Sequence, residues 1–271
     1  MRTDALTRMA NARRLARRLR ELNDDIAPPA LLPAVLDGIG AGDRYAPYES
    51  PIGPLFVAYN EHGVSLVLRA GDSHAFERAF RMRFGRPIRP VPALPDGLTA
   101  ALEARLQGDQ RLQLRIDLRN LTSFERAVLL KTLEIPRGEV RPYAWIAREI
   151  GHPAAVRAVG AALGGNPAPL LIPCHRVVRS DGQIGNYLFG SATKRAVLEQ
   201  EGAAPDVLEA LGRAGVRFLG DPDDGTFCLP TCGGLHRRSE RLIKLRSERE
   251  ALATGLQPCR ACWPLGRALT H

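Results

Sequence analysis

Lysine is nearly absent from this chain: Lys131, Lys194 and Lys244 are the only three, so arginine carries almost all of the positive charge. No run of about 18 apolar residues occurs, which excludes a bilayer-spanning helix. The first 25 residues are basic but lack an apolar stretch followed by a small-residue cleavage site, so no secretion signal is expected. Asp4, Glu21, Asp24 and Asp25 argue against an organelle transit peptide. Cysteine is sparse and uneven: Cys174 stands alone, and Cys228, Cys232, Cys259 and Cys262 crowd the C-terminal end. That spread excludes an even disulfide framework. It points to one metal site plus one free thiol in a reducing compartment, with a cytoplasmic location expected and disulfides as the rival.

What is present allows a packed core. The 271 residues are 45% hydrophobic and 25% charged, enough for one large domain or two or three small ones. The net charge of +9 is carried on a side chain whose planar fork suits phosphate, so a polyanion partner is indicated. GC-rich coding raises arginine as well.

Periodicity places a helix over residues 3–23, with Leu6, Met9, Leu15, Leu19 and Leu22 on one side and Arg13, Arg14, Arg17, Arg18 and Arg20 on the rest. A solvated face, docking on the body and contact with DNA all fit it. A loop with Pro28-Pro29 and a short helix near 30–36 follow. Residues 54–59 and 64–68 read as a β-hairpin turning at Glu61-His62-Gly63. Residues 72–84 form a helix with Phe76, Phe80 and Phe84 on one face. Four prolines make 86–95 a linker or edge strand. Residues 98–106 are helical, and 112–118 alternate like one more strand. Ser123 is placed as N-cap of a helix over 124–133. Pro142 takes the first position of a helix to Ile150. Gly151-His152 breaks the chain, and Pro153 restarts it to about Leu163, a helix-turn-helix signature. A helix over 191–200 follows.

A lone cysteine in an apolar stretch is ordinarily a buried residue. Cys174 differs because Pro173 fixes its approach while His175 and Arg176, a base and a cation that favour thiolate, follow at once. A candidate nucleophile therefore stands beside a candidate DNA-docking element. The motifs run on in order: Ile135-Pro136-x-Gly138-Glu139-Val140, Tyr143-x-x-Ile146-Ala147, Ile150-Gly151-x-Pro153, Arg157-Ala158-Val159-Gly160, Asn166-Pro167, Ile172-Pro173-Cys174-His175-Arg176-Val177, Gly185-Asn186-Tyr187-x-x-Gly190, Lys194 and Glu201. With these, residues 123–202 resemble the catalytic domain of the O6-alkylguanine-DNA alkyltransferases. Residues 45–118, including Ser50-Pro51-Ile52-Gly53-Pro54-Leu55, are similar to that family's ribonuclease-H-like N-terminal domain.

The resemblance implies that Cys174 takes the alkyl group from O6 of guanine once only. It implies that His175 relays the thiol proton through a water toward Glu201, with Asn166 supporting the turns and Tyr143 donating toward guanine N3. Main-chain groups near Cys174 and Val177 read the guanine edge, and Tyr187 closes the pocket. Arg157 replaces the extruded nucleotide, on a minor-groove helix whose Ala154, Ala158 and Gly160 permit close approach. The chemistry agrees, because an O6-alkyl carbon is unreachable in stacked DNA and the base must flip out. The alanines have a plainer reading as tight packing within the protein, and each polar residue taken singly is ordinary.

The tail spacing, C-x3-C and C-x2-C, supplies four soft ligands suited to one zinc ion. Phe227-Cys228-x-Pro230-x-Cys232 and Pro258-Cys259-x-x-Cys262-x-Pro264 resemble the zinc domain of Ada-type proteins, in which the residue at the Cys228 position accepts methyl from a phosphotriester. Here the unit follows the alkyltransferase segment, Leu229 replaces the usual arginine, and the lead-in at 220–225 is short and acidic. A structural, DNA-contacting zinc site at Cys228, Cys232, Cys259 and Cys262 and a second acceptor at Cys228 both stand.

The expected architecture is α+β and multidomain: a helical extension (1–44), a ribonuclease-H-like α/β domain (45–118), a helix-turn-helix, winged-helix-like catalytic domain (119–205) and a zinc-stapled module (206–271). The expected function is single-turnover DNA repair on alkylated double-stranded DNA, by a monomer without organic cofactor or membrane partner. The rivals are added phosphotriester repair, a non-catalytic lesion-binding protein, and a methylation-responsive regulator, which would need major-groove readout that an alanine-rich helix does not offer.

Overall fold

A computed structural model of the chain describes residues 42–109, 111–235 and 241–265, together with Val35. The expected helix at 3–23, the loop after it and nearly all of the helix near 30–36 lie outside the described residues. The elements below belong to one unit, Asp43–His271.

The first sheet contains β1 (Asp43–Ser50), β2 (Gly53–Asn60), β3 (Gly63–Leu68) and β4 (Ile88–Pro90), in the order β3-β2-β1-β4. The β1–β2 and β2–β3 pairs are antiparallel and β1–β4 is parallel. The hairpin was legible; β1 was not, because Asp43, Arg44, Pro47 and Glu49 disguise it. Pro47 is tolerated because β4 pairs only with Asp43, Arg44 and Tyr45, leaving that edge of β1 open beyond them. Asp43 is buried because it is saturated: its carboxylate accepts from Asn60 Nδ2 (2.9 Å), Ser65 Oγ (2.6 Å) and Arg86 Nε (2.6 Å).

Helix α1 (Ser73–Phe84) starts where the Asp72 carboxylate accepts from Ala75 N at 2.7 Å. It presses Phe76 and Phe80 onto Tyr45, Ala58, Leu66 and Ile88 on one sheet face. Helix α2 (Asp96–Gln107) sets Leu102 among the residues of the other face, with Ala46, Leu55, Val57 and Val67. Residues 112–118 do not form the expected strand; they make one isolated bridge, Val64 to Ile116. The Asp117 carboxylate accepts from Arg119 N (3.2 Å) and Nε (2.9 Å), which turns the chain off the sheet edge.

Three packed helices follow: α3 (Ser123–Leu133), α4 (Tyr143–Glu149) and α5 (Val156–Gly164). Thr122, not Ser123, caps α3. Thr122 has Glu125 three residues on, so threonine hydroxyl and glutamate carboxylate each satisfy the other's backbone N–H; Ser123 has Arg126 there. Pro142 is the cap of α4, one position earlier than expected. Helix α5 begins at Val156, because His152–Ala155 close a turn first, so Ala154 precedes the helix. A short parallel ladder joins β5 (Arg141–Pro142) to β6 (Val177–Val178), and α6 (Ser191–Gln200) covers it.

The C-terminal part holds α7 (Pro205–Arg213), α8 (Glu248–Ala253) and a second sheet of β7 (Phe218–Asp221), β8 (Thr226–Cys228), β9 (Ile243–Leu245) and β10 (Gln257–Pro258), in the order β10-β8-β7-β9. One apolar cluster runs from Val57 and Val67 through Ile146 and Ile172 to Phe227 and Cys262. The parts therefore share a core.

Helix α7 lies directly on the loop after β6. A Cβ on Gly212 would sit 2.1 Å from Asp181 O, and one on Gly182 would sit 2.7 Å from Gly212 Cα. Both neighbours are backbone and cannot swing away. Gly212→Ala should cost about 1–3 kcal/mol through overpacking, at about 2–4 °C of melting temperature per kcal/mol. Gly97→Ala in α2 meets no atom within 4 Å and should melt no lower than the parent. Equal melting of the two variants would refute the close approach.

Candidate active site

Cys174 opens a 3-10 turn, Cys174–Arg176, between the Asn166–Ile172 loop and β6. That loop is shaped by Asn166, which is buried. Its Oδ1 accepts from Ala168 N (3.0 Å), and its Nδ2 donates to Ile172 O (3.0 Å) and to Cys174 Sγ (3.1 Å). One amide thus folds the loop and aims a donor at the sulfur. Leu170 within it holds a left-handed φ of 72°. The loop is tied to the first sheet by Val67 N donating to Pro167 O (2.8 Å), and Arg83 of α1 donates to Gly165 O just before it.

Cys174 is only 8% exposed, and burial pushes its thiol pKa up; the Asn166 donor and the Lys194 cation pull the other way without overcoming it. The resting group is a thiol and needs a proton acceptor. His175 is buried and its Nε2 lies 3.0 Å from Glu201 Oε1. Burial depresses its pKa, so the imidazole is neutral at pH 7. The carboxylate fixes the tautomer with the proton on Nε2, leaving Nδ1 as the base; Nδ1 is buried without a hydrogen-bond partner.

Glu201, at the end of α6, is the anion of the site. Burial opposes its charge, but Arg176 and His175 outweigh burial and hold its pKa down to about 2. Arg176 grips it bidentately, Nε to Oε2 at 2.8 Å and Nη2 to Oε1 at 2.7 Å, and its Nη1 donates to Ile135 O at 2.7 Å. Lys194 is fully buried; its Nζ donates to Val177 O (2.7 Å) and Asn186 O (3.4 Å), and burial lowers its pKa to about 8. Sequence reasoning cast Arg176 as a cation favouring the Cys174 thiolate, whereas its guanidinium holds Glu201; Lys194 was quoted within a motif and given no role.

Two tyrosines flank the sulfur. Burial and the nearby Cys174 raise the pKa of both Tyr143 and Tyr187, so both are hydrogen-bond donors at neutral pH. Tyr187 stands edge-on to His175, with its hydroxyl buried and without a partner. The β5–β6 ladder brings Tyr143 here by laying Pro142 beside Val178. A Cβ on Gly160 of α5 would lie 4.0 Å from the Tyr143 ring. Arg157, Ala154 and Ala158 are exposed, while Val159, Ala162 and Leu163 are buried. The structure therefore gathers Cys174, His175, Asn166, Glu201, Tyr143, Tyr187 and Val177, and puts Arg157, Ala154 and Ala158 on the adjoining open face.

Residues 123–203 match the family model described as "6-O-methylguanine DNA methyltransferase, DNA binding domain". A methylated-DNA–protein-cysteine methyltransferase of Mycobacterium tuberculosis is 38% identical over 163 residues, covering 58% of this chain and 92% of that protein. The chain belongs to the methylated-DNA–protein-cysteine methyltransferase family. The Homo sapiens protein of the same name is 53% identical over 161 residues, 57% of this chain and 78% of its own length. The crystal structure of a Mycobacterium tuberculosis O6-methylguanine methyltransferase shares the fold at a TM-score of 0.50 and 35% identity, over 59% of this chain and 93% of that one. No helix among the described residues is long and apolar enough to cross a membrane.

This family member carries a second cluster. The sulfurs of Cys228, Cys232, Cys259 and Cys262 lie within 4.8 Å of one another, and no cysteine is in a disulfide. Cys232 and Cys259 sulfurs are 3.9 Å apart, close to the edge of about 3.8 Å of a tetrahedron with bonds of about 2.3 Å to a metal. Backbone N–H groups point at three sulfurs: Leu229 at Cys262 (3.4 Å), Gly234 at Cys232 (3.3 Å) and Ala261 at Cys259 (3.4 Å). Such donors suit thiolates, and four thiolates at this spacing need a cation between them.

Protonation has a clear sign. His175 and Glu201 both bind protons less tightly folded than unfolded, so unfolding takes up protons and stability decreases as the pH is lowered. The His175 share is lost below 6.5, and the Glu201 share from 4.5 towards 2. Glu201→Gln should cost about 3 kcal/mol by stranding Arg176 and slow reaction at Cys174 about 100-fold. In the parent, the reaction rate should be level above pH 6.5 and decline below it as His175 protonates. Single-turnover rates from pH 5 to 8, with chemical denaturation at pH 7, test this; a Glu201→Gln rate equal to the parent's would remove Glu201 from the relay.

Proposed function

We propose that the protein repairs DNA directly, moving the alkyl group of O6-alkylguanine in duplex DNA onto Cys174 in a reaction each molecule performs once. The observation that carries this is the Asn166–Cys174 contact beside the His175–Glu201–Arg176 array: a buried thiol, a neutral base and a pinned anion in series. Nδ1 of His175 takes the thiol proton through a water, and Glu201 steadies the imidazolium. The sulfur attacks the alkyl carbon, the C–O6 bond breaks, and its electron pair passes into the guanine ring. Tyr143 donates at guanine N3, so the base leaves neutral once protons redistribute. The product is a thioether that no nearby base can reverse. Arg176 and Lys194 are positioning cations, the first for Glu201 and the second for β6 and the loop through Asn186.

Helices α4 and α5 are read as a helix-turn-helix whose exposed Ala154, Ala158 and Ala161 let a minor groove approach. Arg157 fills the gap left by the flipped base, main-chain groups near Cys174 and Val177 read the guanine edge, and Tyr187 closes the pocket. The ribonuclease-H-like label for 45–118, the winged-helix-like label for 119–205 and the zinc module at 206–271 belong to this proposal, as does a cytoplasmic, monomeric protein. The four cysteines would hold zinc, which supplies a fixed tetrahedral centre. Burial of Cys228, at 1% exposed, beside buried Leu229 favours structural zinc over a second alkyl acceptor.

With duplex DNA bearing one O6-methylguanine, peptide mass spectrometry should find a gain of about 14 Da on the Cys174 peptide, at no more than one equivalent. No gain while the folded protein still binds that DNA would replace repair with lesion binding. Elemental analysis should find one zinc per chain. Cys262→Ser should lose the metal and melt lower than the parent; full metal retention would refute four-cysteine ligation.

A further inference from the structure

A shallow recess of about 400 Å³ adjoins the alkyl-acceptor pocket, lined by Tyr143, Val156, Arg179, Ser180, Asp181 and Arg217. Five of these come from the alkyltransferase segment. Arg217 does not: it stands just before β7, outside residues 123–203 that match the family model. Its backbone N–H donates to Leu245 O at 2.8 Å, which fixes it to the edge of the second sheet. Its Nη1 is buried and has no hydrogen-bond partner.

Arg217 is near enough to Asp181 to help lower its pKa, but the charges within the recess still sum to one positive. Asp181 is the acid there, and Arg179 holds both of its oxygens, with Nε at 3.0 Å and 3.3 Å and Nη2 at 2.8 Å. The ionised hydroxyl of Tyr143 is disfavoured by burial and by Cys174. A second cavity of about 220 Å³, which shares Arg179, Ser180 and Arg217 with the recess, contains Arg148 and Glu248, which pair with each other. The recess thus keeps one net positive charge, on a guanidinium with an unused donor.

Its position selects the anion. Val156 opens α5, whose exposed face carries Arg157 and Ala158, and Tyr143 lies between that helix and Cys174. Extruding a base rotates its nucleotide about the backbone. A guanine delivered to Cys174 from a duplex on α5 leaves its flanking phosphates at the pocket mouth, beside Tyr143. We infer that Arg217 binds a backbone phosphate next to the flipped nucleotide, so that the C-terminal cysteine-rich unit completes the DNA surface of the alkyltransferase part. This rests on the repair reading above. Guanidinium suits the task, since its fork matches phosphate oxygens.

The test uses the full-length, metal-loaded protein and duplex DNA with one O6-methylguanine, in single-turnover methyl transfer from 50 to 200 mM NaCl. Arg217→Gln should slow transfer about tenfold at subsaturating protein, with an unchanged rate at saturation. Its log–log salt slope should be shallower by about 1, the signature of one lost phosphate contact. Arg217→Lys, which keeps the charge, should retain the parental slope. Melting temperature and metal content equal to the parent's show that the fold is intact; a variant that melts early is replaced by Arg217→Met for the same measurements. An unchanged salt slope, or a lower saturating rate at unchanged affinity, would overturn the inference. Absence of methyl on Cys174 in the parent would overturn the repair reading instead.

Discussion

The alkyl-acceptor site depends on keeping one carboxylate ionised where water is scarce. Glu201 is charged because Arg176 meets it edge to edge, and Arg176 is held there by the Ile135 carbonyl. With the anion fixed, the His175 tautomer follows, and with the tautomer a base is available to the thiol. Without the arginine, burial would be opposed by His175 alone, the Glu201 pKa would rise and its hold on the imidazole would loosen. The chain of dependence runs from a three-residue turn, Cys174–Arg176, to the end of α6, which explains why nucleophile, base and clamp are consecutive. One short turn presents three side chains in different directions.

The four-cysteine unit is mechanically part of the same site. The Trp145 indole of α4 donates to Cys262 O (3.0 Å) and Trp263 O (2.9 Å). Thr231, between two cysteines, accepts from Val140 N at 2.9 Å, and Gly233 N donates to Glu139 at 3.0 Å. These bonds grip the strand and helix that deliver Tyr143. The four cysteines draw this unit together, and through these bonds it is tied to the elements beside the alkyl pocket. A unit that sequence alone casts as an appendage is a wall of the catalytic part.

The legible parts of this molecule are those set by local chemistry. The Phe76–Phe80 stripe, the hairpin turning at Gly63 and the cysteine spacing each act over a few residues, and the motif register carried Cys174, His175, Asn166 and Glu201 together. What was missed needs long-range partners. Strand β1 looks polar because its acid is satisfied by Asn60, Ser65 and Arg86, distant in sequence. The 112–118 segment alternates like a strand, yet Asp117 turns it aside. Helix α7 is short and shows its purpose only through Gly182, against which it packs. Arg176 reads as a partner of the thiolate, and Lys194 has no evident task, until Glu201 and the Val177 carbonyl are seen facing them.

The same geometry makes the single use of Cys174 costly to the fold. The sulfur sits in a close-packed niche, 3.1 Å from a donor that also orders the loop. Alkylation adds a methyl or larger group to a buried sulfur. Overpacking of a buried position ordinarily costs about 1–3 kcal/mol. Leu170, already in a left-handed conformation, lies in the loop that must yield. The loop is also tied to β3 through the Val67–Pro167 bond, so a displacement of the loop is coupled to the first sheet. The contact that readies the thiol for one transfer thus ties the stability of the protein to whether that transfer has occurred.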